Sequence, residues 1–289
     1  MTTNKNTLEH IIHGIFLLMG LVAVGCVLLI TVYLVISGIP AILEIGLIDF
    51  LFGKEWASTA TDPKYGIWAF ILTSIYGTAG AIVIGVPIGF MTAVYLSKIA
   101  SPKVKSMMQS AVSLLAGIPS VVYGLVGMLV LVPGIRKIFV VPDGASLLAA
   151  IIVLAIMILP SIIKMSITAL DAVPKEYEDA SLALGATPIE TYFKVSVPAA
   201  KSGIAAAVVL GVGRAIGEAM AVMMVAGNVP NMPDSIFQSV RFLTTAVSSE
   251  MAYSSGLQQQ ALFSIALVLF LFIMLINATL NFFLKRETE

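Results

Sequence analysis

The chain has 289 residues and no net formal charge, with 59% hydrophobic residues and only 11% charged ones. Its mean hydropathy of +1.03 indicates a polytopic membrane protein, because a soluble core cannot bury so much apolar surface. The zero net charge leaves no basic footprint for nucleic acid, so no nucleic-acid partner is expected.

Six apolar segments are near or above the roughly 20 residues needed to cross the hydrocarbon core of a bilayer. They are predicted to span residues 11–37, 67–96, 108–132, 146–168, 199–226 and 257–284. We expect the first to be a retained helix ending before Pro40, and the third to kink at 117–120 and stop at Pro133. The predicted fold is all-α, a single transmembrane domain over residues 1–289 with its core at 67–284.

Lysine and arginine predict the orientation of these helices, because cytoplasmic loops carry the excess of both. Of the lysines and arginines assigned to one face of the membrane, ten lie on the face that also holds both termini and the loop 171–201. Five lie on the opposite face. Both termini and this loop are therefore expected in the cytoplasm of a prokaryotic cell.

The segment 41–65 follows the first helix on the outer side. Its alternating apolar and acidic residues predict a short amphipathic helix lying in the membrane interface. Trp56 and Trp68 fall near the same surface, and we interpret both indoles as interfacial anchors.

The loop 171–201 is the longest polar interruption in the second half of the chain. Pro174 suits a first helical turn, and Gly185 is a plausible helix stop. Thr187 and Glu190 have the spacing of a capping box, so a second helix is predicted to start there and to close at Pro198. Two short helices with a sharp turn form a rigid surface suited to binding another protein.

Two charges fall inside the fifth predicted helix. Arg214 would lie roughly 22 Å from its cytoplasmic end at 1.5 Å per residue, near the middle of the bilayer. Glu218 is four residues further, so an α-helix would let the two pair. They are either an ion pair that fixes helix packing or an arginine on an anion path held by the glutamate.

The predicted membrane helices also carry polar residues that could line such a path. They carry glycines that could permit close helix approach as well. The candidate lining residues are Thr73, Ser74, Thr78 and Asn228. The glycines form two Gly-x-x-x-Gly patterns, Gly85 with Gly89 and Gly213 with Gly217.

Several chemistries have no residues to support them. The chain contains no Gly-x-x-x-x-Gly-Lys-Ser/Thr, so it does not bind ATP through a P-loop, and no catalytic triad is evident. The single Cys26 and the isolated His10 and His13 predict neither a disulfide nor a metal site, and no cofactor is expected.

The polar loop resembles the signature of ABC importer permeases, which reads Glu-Ala-Ala, three residues, Gly, nine residues, Ile-x-Leu-Pro. Here Asp179-Ala180-Ser181, Gly185 and Val195-Ser196-Val197-Pro198 keep the spacing with four conservative replacements. The resemblance implies the type I importer permease fold and a coupling helix that sits in a cleft of a separate cytoplasmic ATPase. The residues expected to couple to that ATPase are Glu178, Asp179, Ala180, Ser181, Gly185, Ala186 and Pro198.

The runs 115–124 and 211–222 resemble the phosphate-specific permeases, the PstC type more than the PstA type. This implies a permease in the cell membrane that pairs with a second, related permease, with two ATP-binding subunits below and an extracytoplasmic phosphate-binding protein outside. Arg214 would then meet phosphate and Glu218 would position the arginine. The residues leave three alternatives open: a permease for phosphonate, molybdate or sulfate, an ion-coupled carrier or channel, and a structural membrane subunit.

Overall fold

The computed structural model describes residues 3–286, and it is almost entirely helical. A two-stranded antiparallel hairpin, β1 (Trp56–Ala57) and β2 (Lys64–Tyr65), is the only sheet in the described range. The helices, in chain order, are α1 (Thr3–Ile45), α2 (Leu47–Phe52), α3 (Trp68–Val94), α4 (Pro102–Gly117), α5 (Ser120–Val126), α6 (Val132–Phe139), α7 (Leu147–Asp171), α8 (Lys175–Ala183), α9 (Pro188–Thr191), α10 (Val197–Ala199), α11 (Lys201–Gly217), α12 (Met220–Val225), α13 (Leu243–Glu250) and α14 (Gly256–Arg286).

Within residues 3–286, three single turns of π-helix join or extend these elements. Tyr95–Ile99 extends α3, Gly127–Leu131 joins α5 to α6, and Tyr192–Ser196 joins α9 to α10. Such turns are rare and recur at functional positions. Tyr192–Ser196 lies within the polar loop 171–201, and Tyr95–Ile99 contacts that loop through Lys98.

Five described helical segments are long and apolar enough to cross a membrane, and a sixth span results if one bent pair is counted as one. The bent pair is Pro188–Ala199 with Lys201–Gly217, and the two parts meet at 72°. The prediction of six spans therefore agrees with the structure, with the fifth span turning sharply where it leaves the polar loop.

The predicted ends of two helices are wrong. α1 continues through Pro40 to Ile45, where Gly38 packs against α14 and its carbonyl accepts a hydrogen bond from Ser264 Oγ at 2.5 Å. The third predicted helix does not stop at Pro133 but runs to Phe139, because proline is tolerated in the first turn of α6. At 117–120 it is broken into α4 and α5 rather than kinked.

The outer segment 41–65 also differs from its prediction. The amphipathic helix is only α2, and its Phe50 is fully buried. Trp56 is not an interfacial anchor: it is 6% exposed and packs its ring against Tyr65 and Phe70. Its Nε1 donates to Glu250, so a distant polar partner keeps this indole inside the fold.

α7 is the centre of the bundle. It packs against α3, α11, α4 and α12, and two-thirds of its most apolar stretch is buried, whereas the corresponding stretch of α1 is not buried at all. Ser146 caps its N-terminus, and the loop carbonyls of Ile236 and Gln238 accept from the backbone N–H groups of Leu148 and Leu147. The outer loop therefore satisfies donors that a helix start leaves unpaired.

The α3–α7 interface depends on two glycines. A Cβ at Gly85 would lie 2.7 Å from Ile158 Cδ1 and 3.1 Å from the carbonyl oxygen of Ala155, and a Cβ at Gly89 would lie 2.9 Å from Ile162 Cγ2. Both positions therefore require the close helix approach that small residues allow.

We expect Gly85→Leu to lower the free energy of unfolding by about 1–3 kcal/mol, because added methylenes must displace Ile158 or shift α7. Gly25→Leu on α1 is the matched control, since no atom of the described residues 3–286 lies within 4 Å of a Cβ at that position. The measurement is a denaturant titration of the purified chain in detergent micelles. Equal unfolding midpoints for the two variants would contradict a tight α3–α7 contact.

Candidate anion path and coupling loop

Arg214 lies in the last turn of α11 and is half-buried. Its Nη1 donates to Ser161 Oγ of α7 at 3.3 Å. The side chain lines a cavity of about 580 Å³ between α7, α11 and α14, together with Ser161, Ala206, Val209, Leu210, Gly213 and Asn277. Arg214 therefore borders a space large enough for a small anion and water.

The predicted pairing of Arg214 with Glu218 is wrong. α11 ends at Gly217, and Glu218 has extended backbone with ψ 129°, so the i,i+4 relation of an α-helix does not hold. The Glu218 carboxylate instead accepts from the backbone N–H of Ala221 at 3.1 Å. No ion pair joins the two among residues 3–286, and the guanidinium thus faces the cavity without a carboxylate partner.

The other candidate lining residues lie elsewhere in the described part of the chain. Thr73 and Thr78 are buried in α3 with hydroxyls that have no partner, and Ser74 Oγ accepts from the backbone N–H of Leu243. Asn228 has φ +53°, and its carbonyl oxygen accepts from the guanidinium of Arg241. None of the four is among the residues that line the Arg214 cavity.

Two residues of the cavity were missed from sequence. Ser161 follows Pro160 in an apolar helix, and Asn277 is a lone amide in α14, so neither stands out by pattern. Lys164 was counted only for orientation. It lies three residues after Ser161 on α7 and lines a second cavity of about 300 Å³ with Gln109, Ser113 and Thr168.

The glycines predicted to pack helices fall into two groups. Gly85 and Gly89 press on α7 as described above, whereas nothing lies within 4 Å of a Cβ at Gly213 or Gly217. Gly213 borders the Arg214 cavity. The second pattern therefore lies beside open space in this chain.

The loop 171–201 folds as the sequence predicts. α8 ends before Gly185, which has φ +89°, a left-handed conformation that favours glycine. The capping box is present: Thr187 Oγ1 accepts from the backbone N–H of Glu190 at 3.3 Å, and Glu190 Oε2 accepts from that of Thr187 at 3.1 Å. Ser181 and Thr191 hydroxyls meet at 2.9 Å and tie α8 to α9.

Glu178 points toward the interior of the protein. Its Oε1 lies 2.6 Å from Lys98 Nζ and accepts from Ser196 Oγ at 2.8 Å. Partial burial acts to raise the pKa of this carboxyl, but the hydrogen bonds from Lys98 and Ser196 outweigh it and hold the pKa below its ordinary value. Glu178 is therefore ionised at neutral pH and bound to its own chain.

The other residues expected to couple to an ATPase are more accessible. Asp179, Ala180, Gly185 and Pro198 are exposed, and Ser181 and Ala186 are half-buried. The same loop also carries exposed apolar side chains, which are Tyr177, Leu182, Leu184, Ile189 and Phe193. Leu184 is 90% exposed at the tip of the loop. A rigid polar loop with an apolar tip is suited to docking in a protein cleft.

The described residues contain no group of three or more His, Cys, Asp or Glu placed to hold a metal ion. Cys26 is exposed on α1.

Comparisons with known proteins are consistent with this geometry. A family model described as binding-protein-dependent transport system inner membrane component matches residues 85–287. A probable ABC transporter permease protein of Bacillus subtilis, YqgH, is 41% identical over 89% of this chain and 86% of its own length. The phosphate transport system permease protein PstC of Pasteurella multocida is 33% identical over 77% of this chain and 75% of its own length.

The fold is also similar to a solved structure of a bacterial alginate ABC transporter in complex with an alginate-bound periplasmic protein. The TM-score is 0.64 at 15% identity, covering 95% of this chain and 94% of the other.

Proposed function

Because the chain belongs to the family of binding-protein-dependent transport system inner membrane components, we propose that it is one permease half of an ATP-driven phosphate importer. It is a multi-pass protein of the prokaryotic plasma membrane with the type I permease fold, and it is a permease subunit rather than an enzyme. ATP hydrolysis belongs to a separate subunit.

The observation that supports an oxyanion as the substrate is Arg214 in its cavity. Within residues 3–286, its Nη1 binds the neutral Ser161 and no carboxylate, so its other donors can bind an oxyanion as a planar fork. A half-buried arginine without a carboxylate partner is costly inside a membrane, which indicates a functional role rather than a gain in stability. The PstC relatives, which are named for phosphate transport, support the same substrate.

The proposed assembly follows the family. The whole chain, residues 1–289, would form one transmembrane domain with its core at 67–284, and both termini and the loop 171–201 would face the cytoplasm. A second related permease would complete the path, two ATP-binding subunits would receive the loops, and a phosphate-binding protein would dock outside. Phosphate would pass Arg214 and then Lys164 toward the cytoplasm.

The experiment is uptake of radiolabelled phosphate by proteoliposomes containing the complete complex, with ATP inside and the binding protein outside. We expect ATP-dependent phosphate uptake that excess sulfate, molybdate or a phosphonate does not suppress. If one of those oxyanions is taken up in preference to phosphate, that oxyanion is the substrate instead of phosphate. Uptake without the ATPase would contradict the proposal.

A further inference from the structure

Glu178 lies in a small, largely buried polar cluster where the polar loop meets the ends of α3 and α7. The side chains of Lys98 and Glu178 are 10% and 19% exposed, and Ser196 is fully buried. The Lys98 ammonium also donates to the carbonyl oxygen of Leu170 at 3.0 Å. The cluster thus joins the ends of α3 and α7 to both halves of the loop.

The two groups that hold Glu178 both come from π-helical turns. Lys98 lies in Tyr95–Ile99, where the N–H of Ala100 binds the carbonyl of Tyr95 five residues back. Ser196 ends Tyr192–Ser196, where the N–H of Val197 binds the carbonyl of Tyr192. A π-turn has more residues per turn than an α-helix, so its side chains point in other directions than those of a continuous α-helix. Here both redirected side chains meet one carboxylate.

A second ion pair lies next to this cluster but holds a different part of the chain. Asp171 accepts from Ser97 Oγ at 2.6 Å and from Lys105 Nζ at 2.8 Å, which ties the end of α7 to α3 and α4. Within residues 3–286, these hydrogen bonds and this ion pair of Asp171 go to α3 and α4 rather than to the loop helices α8, α9 and α10. Glu178 is therefore the acidic residue of α8 whose ion pair fixes the loop to the end of α3.

We propose that Lys98, Glu178 and Ser196 form a latch that makes the polar loop and α3 move as one body, so that movement of the ATPase is transmitted to α3. Because α3 presses on α7 through Gly85 and Gly89, movement at the latch reaches the helix that carries Ser161. These are positioning residues, and the inference rests on the proposed function of the loop as the ATPase contact.

The first test measures phosphate uptake and ATP hydrolysis on the same proteoliposomes. We expect Lys98→Met to keep the bound ATPase and its hydrolysis while phosphate moved per ATP falls about tenfold, a size typical of coupling between two sites. Lys105→Met is the matched control, because it removes a cation from the same side while Glu178 keeps both partners. A wild-type ratio of uptake to hydrolysis in Lys98→Met would overturn the latch.

Charge reversal separates a latch from a general need for Lys98 in folding. Lys98→Glu and Glu178→Lys each place like charges together and should uncouple hydrolysis from uptake, whereas the double variant restores the attraction and should recover most of the coupling. If the double variant is no better coupled than either single variant, the pair does not act as proposed.

A distance measurement keeps the latch testable even if the complex carries another substrate. Spin labels on cysteines introduced by Glu176→Cys and Met91→Cys, both exposed, report on α8 against α3 in a Cys26→Ala background. With Lys98 present, the distribution of distances between the two labels should stay narrow with and without ATP. In Lys98→Met this distribution should broaden. A narrow distance in both backgrounds overturns the latch, whereas failure of phosphate uptake alone overturns only the proposed substrate.

Discussion

Arg214→Gln is expected to reduce phosphate uptake about 10- to 100-fold while the complex still assembles and hydrolyses ATP. A hydrogen bond to a charged group contributes about 1.5–3 kcal/mol, and about 1.4 kcal/mol corresponds to a tenfold change. Glutamine keeps a polar amide on α11 at this position, while the charge that meets the anion is lost. Uptake is measured as an initial rate at fixed ATP.

Arg214→Lys separates charge from geometry. It keeps the positive charge but loses the planar fork of donors, so we expect uptake between those of the wild type and Arg214→Gln. If Arg214→Gln retains uptake within twofold of the wild type, the arginine only joins α11 to α7, and the choice of phosphate would rest on the relatives alone.

Leu184→Asp is expected to detach the ATPase from the permease. The side chain is 90% exposed at the tip of the loop, so the change leaves the fold of this chain intact. In a cleft that receives an apolar tip, an unpaired carboxylate costs about 2–5 kcal/mol, or a loss of affinity of about 30-fold or more. The measurement is the amount of ATPase that copurifies with the permease in detergent.

Tyr253→Asp is the matched control for this variant. Tyr253 is 91% exposed, but it lies in the connection before α14, at the opposite end of the fold from the loop. The Tyr253→Asp variant should retain the ATPase fully. Copurification of the ATPase with Leu184→Asp at the wild-type level would show that the loop tip is not the docking surface.

The loop was readable from sequence because its structure is locally encoded. Gly185 requires a left-handed backbone, and Thr187 with Glu190 satisfies the donors of a helix start within four residues. The membrane spans were equally accessible, since each is a long apolar run between polar segments. The ends of these spans were harder to predict from sequence, because a proline in the first turn of a helix, as at Pro133, does not stop that helix.

The site chemistry needed the tertiary structure. No strong local signal marks the end of α11 at Gly217. The sequence therefore predicts a continuous helix and an Arg214–Glu218 pair, whereas in the structure the helix is broken there. The partners of the charged residues are also far apart in sequence. Lys98 and Glu178 are brought together by the packing of the loop under α3 and α7, and Glu250 binds Trp56 from 194 residues away.

The measurement that tests the central claim most directly is the accessibility of the Arg214 cavity from the two sides of the membrane. Leu210 lines that cavity and is half-exposed, so Leu210→Cys in a Cys26→Ala background introduces one thiol there. A membrane-impermeant maleimide is added from inside or outside, with the complex free of ATP or trapped with vanadate. If the cavity is part of the phosphate path, the thiol reacts from one side in the first state and from the other in the second. A thiol that reacts from neither side in either state would place the cavity against lipid and contradict the account.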